Sequence, residues 1–64
     1  MRRYDTGCLN RLGIDPKASF FTLTNAQVCG LVEESKAQGY RRPKNANGST
    51  ARYFYARLQK EMAK

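Results

Sequence analysis

The sequence predicts a small, mainly α-helical single domain with one short strand, in the order strand, helix, long loop, helix. Three observations support this prediction. Residues 18–24 are rich in aromatic and β-branched side chains and alternate as a strand does. Two later segments, 25–38 and 50–63, repeat apolar residues at three- and four-residue spacing behind a capping residue. The chain has 64 residues, which is enough for one domain.

An N-terminal arm, residues 1–17, precedes the predicted strand-helix-loop-helix core of residues 18–64. The arm has room for a short helix that begins at a capping Asp5 or Thr6 and ends before Gly13. Leucine and isoleucine side chains give this helix a small apolar face. A segment of about two turns is not stable alone, so we expect it to depend on the rest of the fold.

The predicted strand has two different sides. Phe21 and Leu23 point to one side, and Phe20, Thr22 and Thr24 point to the other. We expect the side with Phe21 and Leu23 to face the core.

The helix predicted over 25–38 has clear signals at both ends. Thr24 and Gln27 have the spacing of a capping box, in which each side chain binds a free backbone N–H of the first turn. Gly39 supplies the left-handed residue that ends many helices. Between these ends, Leu31 and Ser35 lie on the predicted inward face.

The helix predicted over 50–63 begins after Ser49, a favourable capping residue. Its core-facing residues share a sector of about 100°: Ala51, Phe54, Tyr55, Leu58 and Met62. A second, mostly cationic group lies roughly opposite: Tyr53, Arg57, Lys60 and Lys64. One face therefore suits a core, and the other suits an anion.

Charge and composition narrow the function. Twelve basic and five acidic residues give a net charge of +7, and residues 40–64 hold seven bases and one acid, a net of +6. Such asymmetry indicates a polyanionic partner. The chain has no histidine and its two cysteines lack zinc-ligand spacing, so we expect no metal, no cofactor and no enzymatic activity. No apolar run suits a signal peptide or a membrane span, so we expect a cytoplasmic protein.

The long loop between the predicted helices carries most of the functional signal. Residues 39–49 are too polar to pack, and they hold Arg41, Arg42 and Lys44 just before a helix start. Backbone N–H groups at such a start lack partners, and the helix dipole is positive there. We expect a flexible cationic arm that grips phosphates. The predicted contact residues are Arg41, Arg42, Lys44, Ser49, Thr50, Arg52, Tyr53, Arg57, Lys60, Lys64, Thr22 and Thr24.

Two stretches carry a resemblance to a known family. "FFTLTNAQVCGLVEESKAQG" resembles the strand and first helix of ribbon-helix-helix DNA-binding proteins, and "GSTARYFYARL" resembles their second helix. The resemblance implies a homodimer whose paired strands enter the major groove. It also implies that Phe20, Thr22 and Thr24 face DNA and that Ser49 and Thr50 hold a phosphate. The loop here, at about ten residues, is longer than the short turn of that family.

These observations favour a small basic DNA-binding protein, of the repressor or accessory-factor type, that binds double-stranded DNA as a homodimer. Two alternatives stay open. The same charge asymmetry suits an inhibitor or adaptor that docks on an acidic protein. RNA is the third candidate partner, although the sequence has no RNA-domain signature.

Overall fold

The computed structural model describes residues 4–63, and in this range the chain forms three α-helices joined by loops and one 3₁₀ turn. Helix α1 is Gly7–Arg11, the 3₁₀ turn is Phe20–Thr22, α2 is Asn25–Ala37 and α3 is Thr50–Met62. The predicted strand over 18–24 is therefore wrong, because residues 4–63 contain no strand. The fold is helical, with α2 packed against α3.

Residues 18–24 form a turn because their polar groups are satisfied locally. The Ser19 hydroxyl accepts from Phe21 N at 3.4 Å, and Thr22 Oγ1 donates to the Ser19 carbonyl at 2.7 Å. A strand needs a second strand to take up its backbone groups, and the described chain offers none. The turn exchanges the two phenylalanines, since Phe20 packs against the core and Phe21 is 75 % exposed, whereas Leu23 packs against the core as predicted.

Both ends of α2 form as predicted. Thr24 Oγ1 accepts from Gln27 N at 3.2 Å, and Gln27 Oε1 accepts from Thr24 N at 2.9 Å, which completes the capping box. At the other end Gly39 has a φ of 73°, and Tyr40 N donates to Ser35 O at 2.8 Å. This is the Schellman arrangement, which turns the chain sharply out of the helix.

The core lies between the inward faces of α2, α3 and the N-terminal arm. Four of the five residues predicted for the α3 core face are buried, and Met62 at the end of the helix is 47 % exposed. On α2, Leu31 and Ser35 are fully buried, as predicted. The buried cluster of the described residues is Cys8, Leu9, Ile14, Leu31, Ala51, Phe54, Tyr55 and Leu58.

The short N-terminal helix exists, and it is α1. Gly13 ends it with a φ of 70°, and Ile14 N donates to Leu9 O at 2.8 Å. Leu12 packs on α2 at Gly30, where an added Cβ would lie 2.5 Å from Leu12 Cδ2. The arm thus contributes to the same core as the two long helices.

Glutamine side chains hold the N-terminal arm against α2 and α3. All three glutamines of the chain donate from the side-chain amide to a backbone carbonyl of residues 5–18. The pairs are Gln27 to Gly13, Gln38 to Asp5 and Gln59 to Pro16, at 3.0, 3.2 and 2.9 Å. These bonds replace the regular secondary structure that most of the arm lacks.

Candidate nucleic-acid interface

The loop between α2 and α3 follows a path that its own side chains hold. Arg42 Nη1 donates to the Gly48 carbonyl at 2.8 Å and so closes the loop across its base. The hydroxyl of Tyr53 accepts from Asn47 N at 3.2 Å. The Tyr53 ring lies over the glycine, since a Cβ at Gly48 would meet Tyr53 Cε2 at 3.2 Å. The structure thus has a loop that side-chain hydrogen bonds hold at two points.

The loop exposes cations that have no carboxylate partner in residues 4–63. Arg41, Arg42, Lys44 and Arg52 are all exposed. The ion pairs of the described chain lie elsewhere: Arg11 with Asp5 and Glu34, at 3.5 and 3.6 Å, and Arg57 with Glu61, at 3.3 Å. We call Arg41, Arg42, Lys44 and Arg52 the cationic loop surface.

The start of α3 adjoins this surface. Ser49 Oγ accepts from Arg52 N at 3.2 Å, which confirms Ser49 as the capping residue. Thr50, the first helical residue, is half-buried. The first turn adds the positive end of the helix dipole to the charges of the side chains.

Phe21 joins the cationic loop surface, although the sequence predicts it in the core. The guanidinium carbon of Arg52 lies 5.0 Å from the centroid of the Phe21 ring. The same side chain reaches the loop, because a Cβ at Gly48 would lie 3.4 Å from Arg52 Cδ. Phe21 and Arg52 are therefore in contact, Arg42 and Gly48 are hydrogen-bonded, and the Arg52 side chain passes close to Gly48 between them. The doublet of adjacent phenylalanines is the signal in the sequence, since two neighbours in a tight turn cannot both point inward.

The cationic row predicted along α3 is not continuous. Arg57 pairs with Glu61, and its guanidinium carbon lies 5.9 Å from the Tyr4 ring centroid, so its side chain is only 30 % exposed. Its Nε is buried without a hydrogen-bond partner among the described residues. Tyr53 turns back to the loop, Lys60 is exposed, and Lys64 lies outside the described residues. Arg57 and Tyr53 thus have packing contacts that the helical spacing does not reveal.

The two threonines predicted to read bases use their hydroxyl groups locally. Thr22 binds the Ser19 carbonyl within the 3₁₀ turn, and Thr24 caps α2. Both side chains are exposed, but neither forms part of a strand.

The remaining reactive groups do not assemble into a site in the described chain. Burial raises the pKa of the Cys8 thiol, and the carboxylates of Glu34 and Asp5 raise that pKa further. Cys29 is exposed, and both cysteines are free. Residues 4–63 contain no group of three potential metal ligands. They also contain no helix with the length and apolar character needed to span a membrane.

Comparison with protein-family models, with curated proteins and with solved structures finds no match to this chain. Its function therefore has to be inferred from its own residues.

Proposed function

We propose that this protein binds nucleic acid, and specifically double-stranded DNA, through the cationic loop surface. The observation that carries the proposal is the proximity of Arg42, Gly48, Arg52 and Phe21, next to exposed cations that no described carboxylate neutralises. Residues 41–52 thus present one positive surface with an apolar ring from a distant segment beside it, and such a surface suits a partner with many negative charges.

Phosphate contacts account for the chemistry of binding. Each arginine or lysine that neutralises a phosphate releases condensed counterions, and this release drives association. Arg42 uses one of its N–H donors to close the loop, and a guanidinium has five. The remaining donors are available for a phosphate. Because the loop is tied before DNA arrives, binding has less conformational entropy to overcome.

Salt dependence gives the quantitative test. Four phosphate contacts correspond to a log–log slope of affinity against salt of about −3.6, or roughly a hundredfold loss of affinity between 50 and 200 mM. The measurement is the affinity of the full chain for a labelled duplex across that range. An affinity that stays constant over the range would disprove the proposal.

A pair of matched double variants locates the surface. Arg41→Ala with Lys44→Ala removes two surface charges and leaves the bond between Arg42 and Gly48 in place. We expect this variant to weaken binding to all sequences and to reduce the slope by about 2. Lys17→Ala with Lys36→Ala removes the same charge from exposed positions outside the surface. Equal losses in the two variants would mean that only net charge matters, contrary to the proposal.

The same experiments separate the other partners. Binding to double-stranded RNA with higher affinity than to DNA would make RNA the partner. Capture of one acidic protein in the presence of nuclease, without DNA binding, would support the inhibitor or adaptor function. The homodimer also stays a prediction, since the strand that would pair two copies in the family resemblance is not formed. A molecular mass in solution tests it. The cytoplasmic location predicted from the sequence is consistent with a nucleic-acid partner.

A further inference from the structure

Phe21 is the more exposed of the two large apolar side chains that the fold leaves at the surface of residues 4–63. It is 75 % exposed, against 47 % for Met62. Exposing a phenylalanine gives up the free energy of burying it, so its position calls for another reason. Arg52 covers part of the ring, and most of its surface still faces solvent.

The outward direction of Phe21 is built into the fold. Its turn is closed by the hydrogen bonds of Ser19 and Thr22. Its neighbour Phe20 takes the inward position, with its ring centroid 6.2 Å from that of Tyr55. The Tyr55 hydroxyl lies 2.8 Å from the Asp15 carbonyl oxygen, just before the turn, and binds that segment to α3. Phe21 therefore cannot turn inward unless Phe20 leaves the core.

The charges near the ring are opposite in sign, and therefore complementary, to those beside a base in DNA. In a duplex, every base step is flanked by phosphates on both strands. The guanidinium carbon of Arg52 lies 5.0 Å from the centroid of the Phe21 ring, and Arg42 is bonded to Gly48, which the Arg52 side chain passes closely. When Arg52 moves from the ring face to a flanking phosphate, the apolar ring is free to enter the base stack. DNA-bending proteins use phenylalanine and other apolar side chains as wedges in this way.

We propose that Phe21 inserts between two base pairs of the bound duplex and partly unstacks them; this inference rests on the proposed function. Unstacking a step costs free energy, and the cost is smaller where pairing is already weakened. The protein should therefore prefer duplexes that contain an easily opened step. A single mismatch provides such a step without changing the number of phosphates.

The first experiment compares a fully paired duplex with the same duplex carrying one mismatch. We expect the full chain to bind the mismatched duplex about tenfold more tightly. Phe21→Ala should lose this preference and bind both duplexes with nearly equal affinity. Phe21→Leu, which keeps an apolar side chain without the ring, should retain part of it. Met62→Ala is the matched control. It removes the other exposed apolar side chain, which lies at the end of α3 far from Arg52, and it should keep the full preference for the mismatched duplex.

The second experiment observes the inserted side chain directly. The chain contains no tryptophan, so Phe21→Trp introduces one tryptophan, whose emission can be separated from that of the four tyrosines. Insertion should quench its emission and protect it from iodide when DNA is added. If the protein binds DNA but Trp fluorescence and iodide access are unchanged, or if Phe21→Ala keeps the mismatch preference, the insertion is wrong and the proposed function stands. If the protein binds no DNA at all, both proposals fall together.

Discussion

The substitution Tyr55→Phe removes one hydroxyl group and keeps the buried ring, so it measures how firmly the segment before Phe20 is held to α3. The hydroxyl oxygen lies 2.8 Å from the Asp15 carbonyl oxygen and 2.6 Å from that of Ala18. A hydroxyl has one proton and therefore donates to these two acceptors in turn or shares its proton between them.

The structure indicates a small loss for this substitution. After the substitution, the Asp15 carbonyl still accepts from Ala18 N at 3.0 Å. The Ala18 carbonyl still accepts from Gln59 Nε2 at 3.3 Å. No buried acceptor is left without a donor, so the loss is that of one net hydrogen bond. We expect the free energy of unfolding to fall by about 1 kcal/mol. For a domain of this size that corresponds to a drop in Tm of roughly 4–8 °C.

A double-mutant cycle sharpens the prediction. Gln59→Met removes the second side-chain donor to Ala18 with little change in side-chain length. In the double variant the Ala18 carbonyl has neither donor, so the combined loss should exceed the sum of the single losses by about 0.5–1.5 kcal/mol. Urea unfolding followed by circular dichroism gives each value, and Tyr53→Phe is the control for loss of a more exposed hydroxyl. Additivity within about 0.3–0.5 kcal/mol would show that Tyr55 and Gln59 do not share this acceptor.

Three further predictions concern stability and reactivity. Burial is the main cause that raises the pKa of Tyr40 and Tyr55 above the ordinary value of about 10. Because the unfolded chain then loses these protons first, and burial raises the pKa of Cys8 in the same way, stability should begin to fall at about pH 9 and fall more steeply above about pH 10. Urea titrations at about pH 8 and 11 test this. Leu58→Ala creates a cavity at a fully buried position and should cost about 2–5 kcal/mol, measured by the same titration; normal stability would mean that Leu58 is not core. In the folded protein a thiol reagent should modify Cys29 quickly and Cys8 only after urea is added, so rapid reaction of both would contradict the buried position of Cys8.

The parts of the fold that could be predicted depend on local signals. A few neighbouring residues determine each helix end that was predicted correctly: the capping box of α2, its end at Gly39 and the capping Ser49 of α3. The core face of α3 follows from helical periodicity, and it fails only at Met62, where the helix runs past the core. Such signals act within one element, so they do not require knowledge of what packs against it.

The parts of the fold and site that could not be predicted depend on contacts between segments distant in the sequence. Alternation near Phe21 is consistent with a strand, but a strand needs another strand, and Ser19 closes a turn first. The prediction of a row on α3 assumed that its cations are free. Glu61, four residues after Arg57, is a local signal against that assumption, whereas the approach of Arg57 to the Tyr4 ring appears only in the folded chain. The cationic loop surface itself was predicted only in part. The loop cations are visible in the sequence, but the approach of Phe21 to Arg52 joins residues 31 positions apart and appears only in three dimensions.

In many basic proteins, salt affects both the stability of the fold and the binding of a polyanion. The glutamine bonds to the N-terminal arm should make these two properties respond differently to salt in this protein. Amides carry no charge, so screening by dissolved ions hardly affects the bonds of Gln27, Gln38 and Gln59 to the arm. The attraction between the loop cations and a polyanion, in contrast, weakens steeply with salt. A concentrated electrolyte should therefore release this protein from its partner while the arm stays docked, and dilution alone should restore binding without a refolding step.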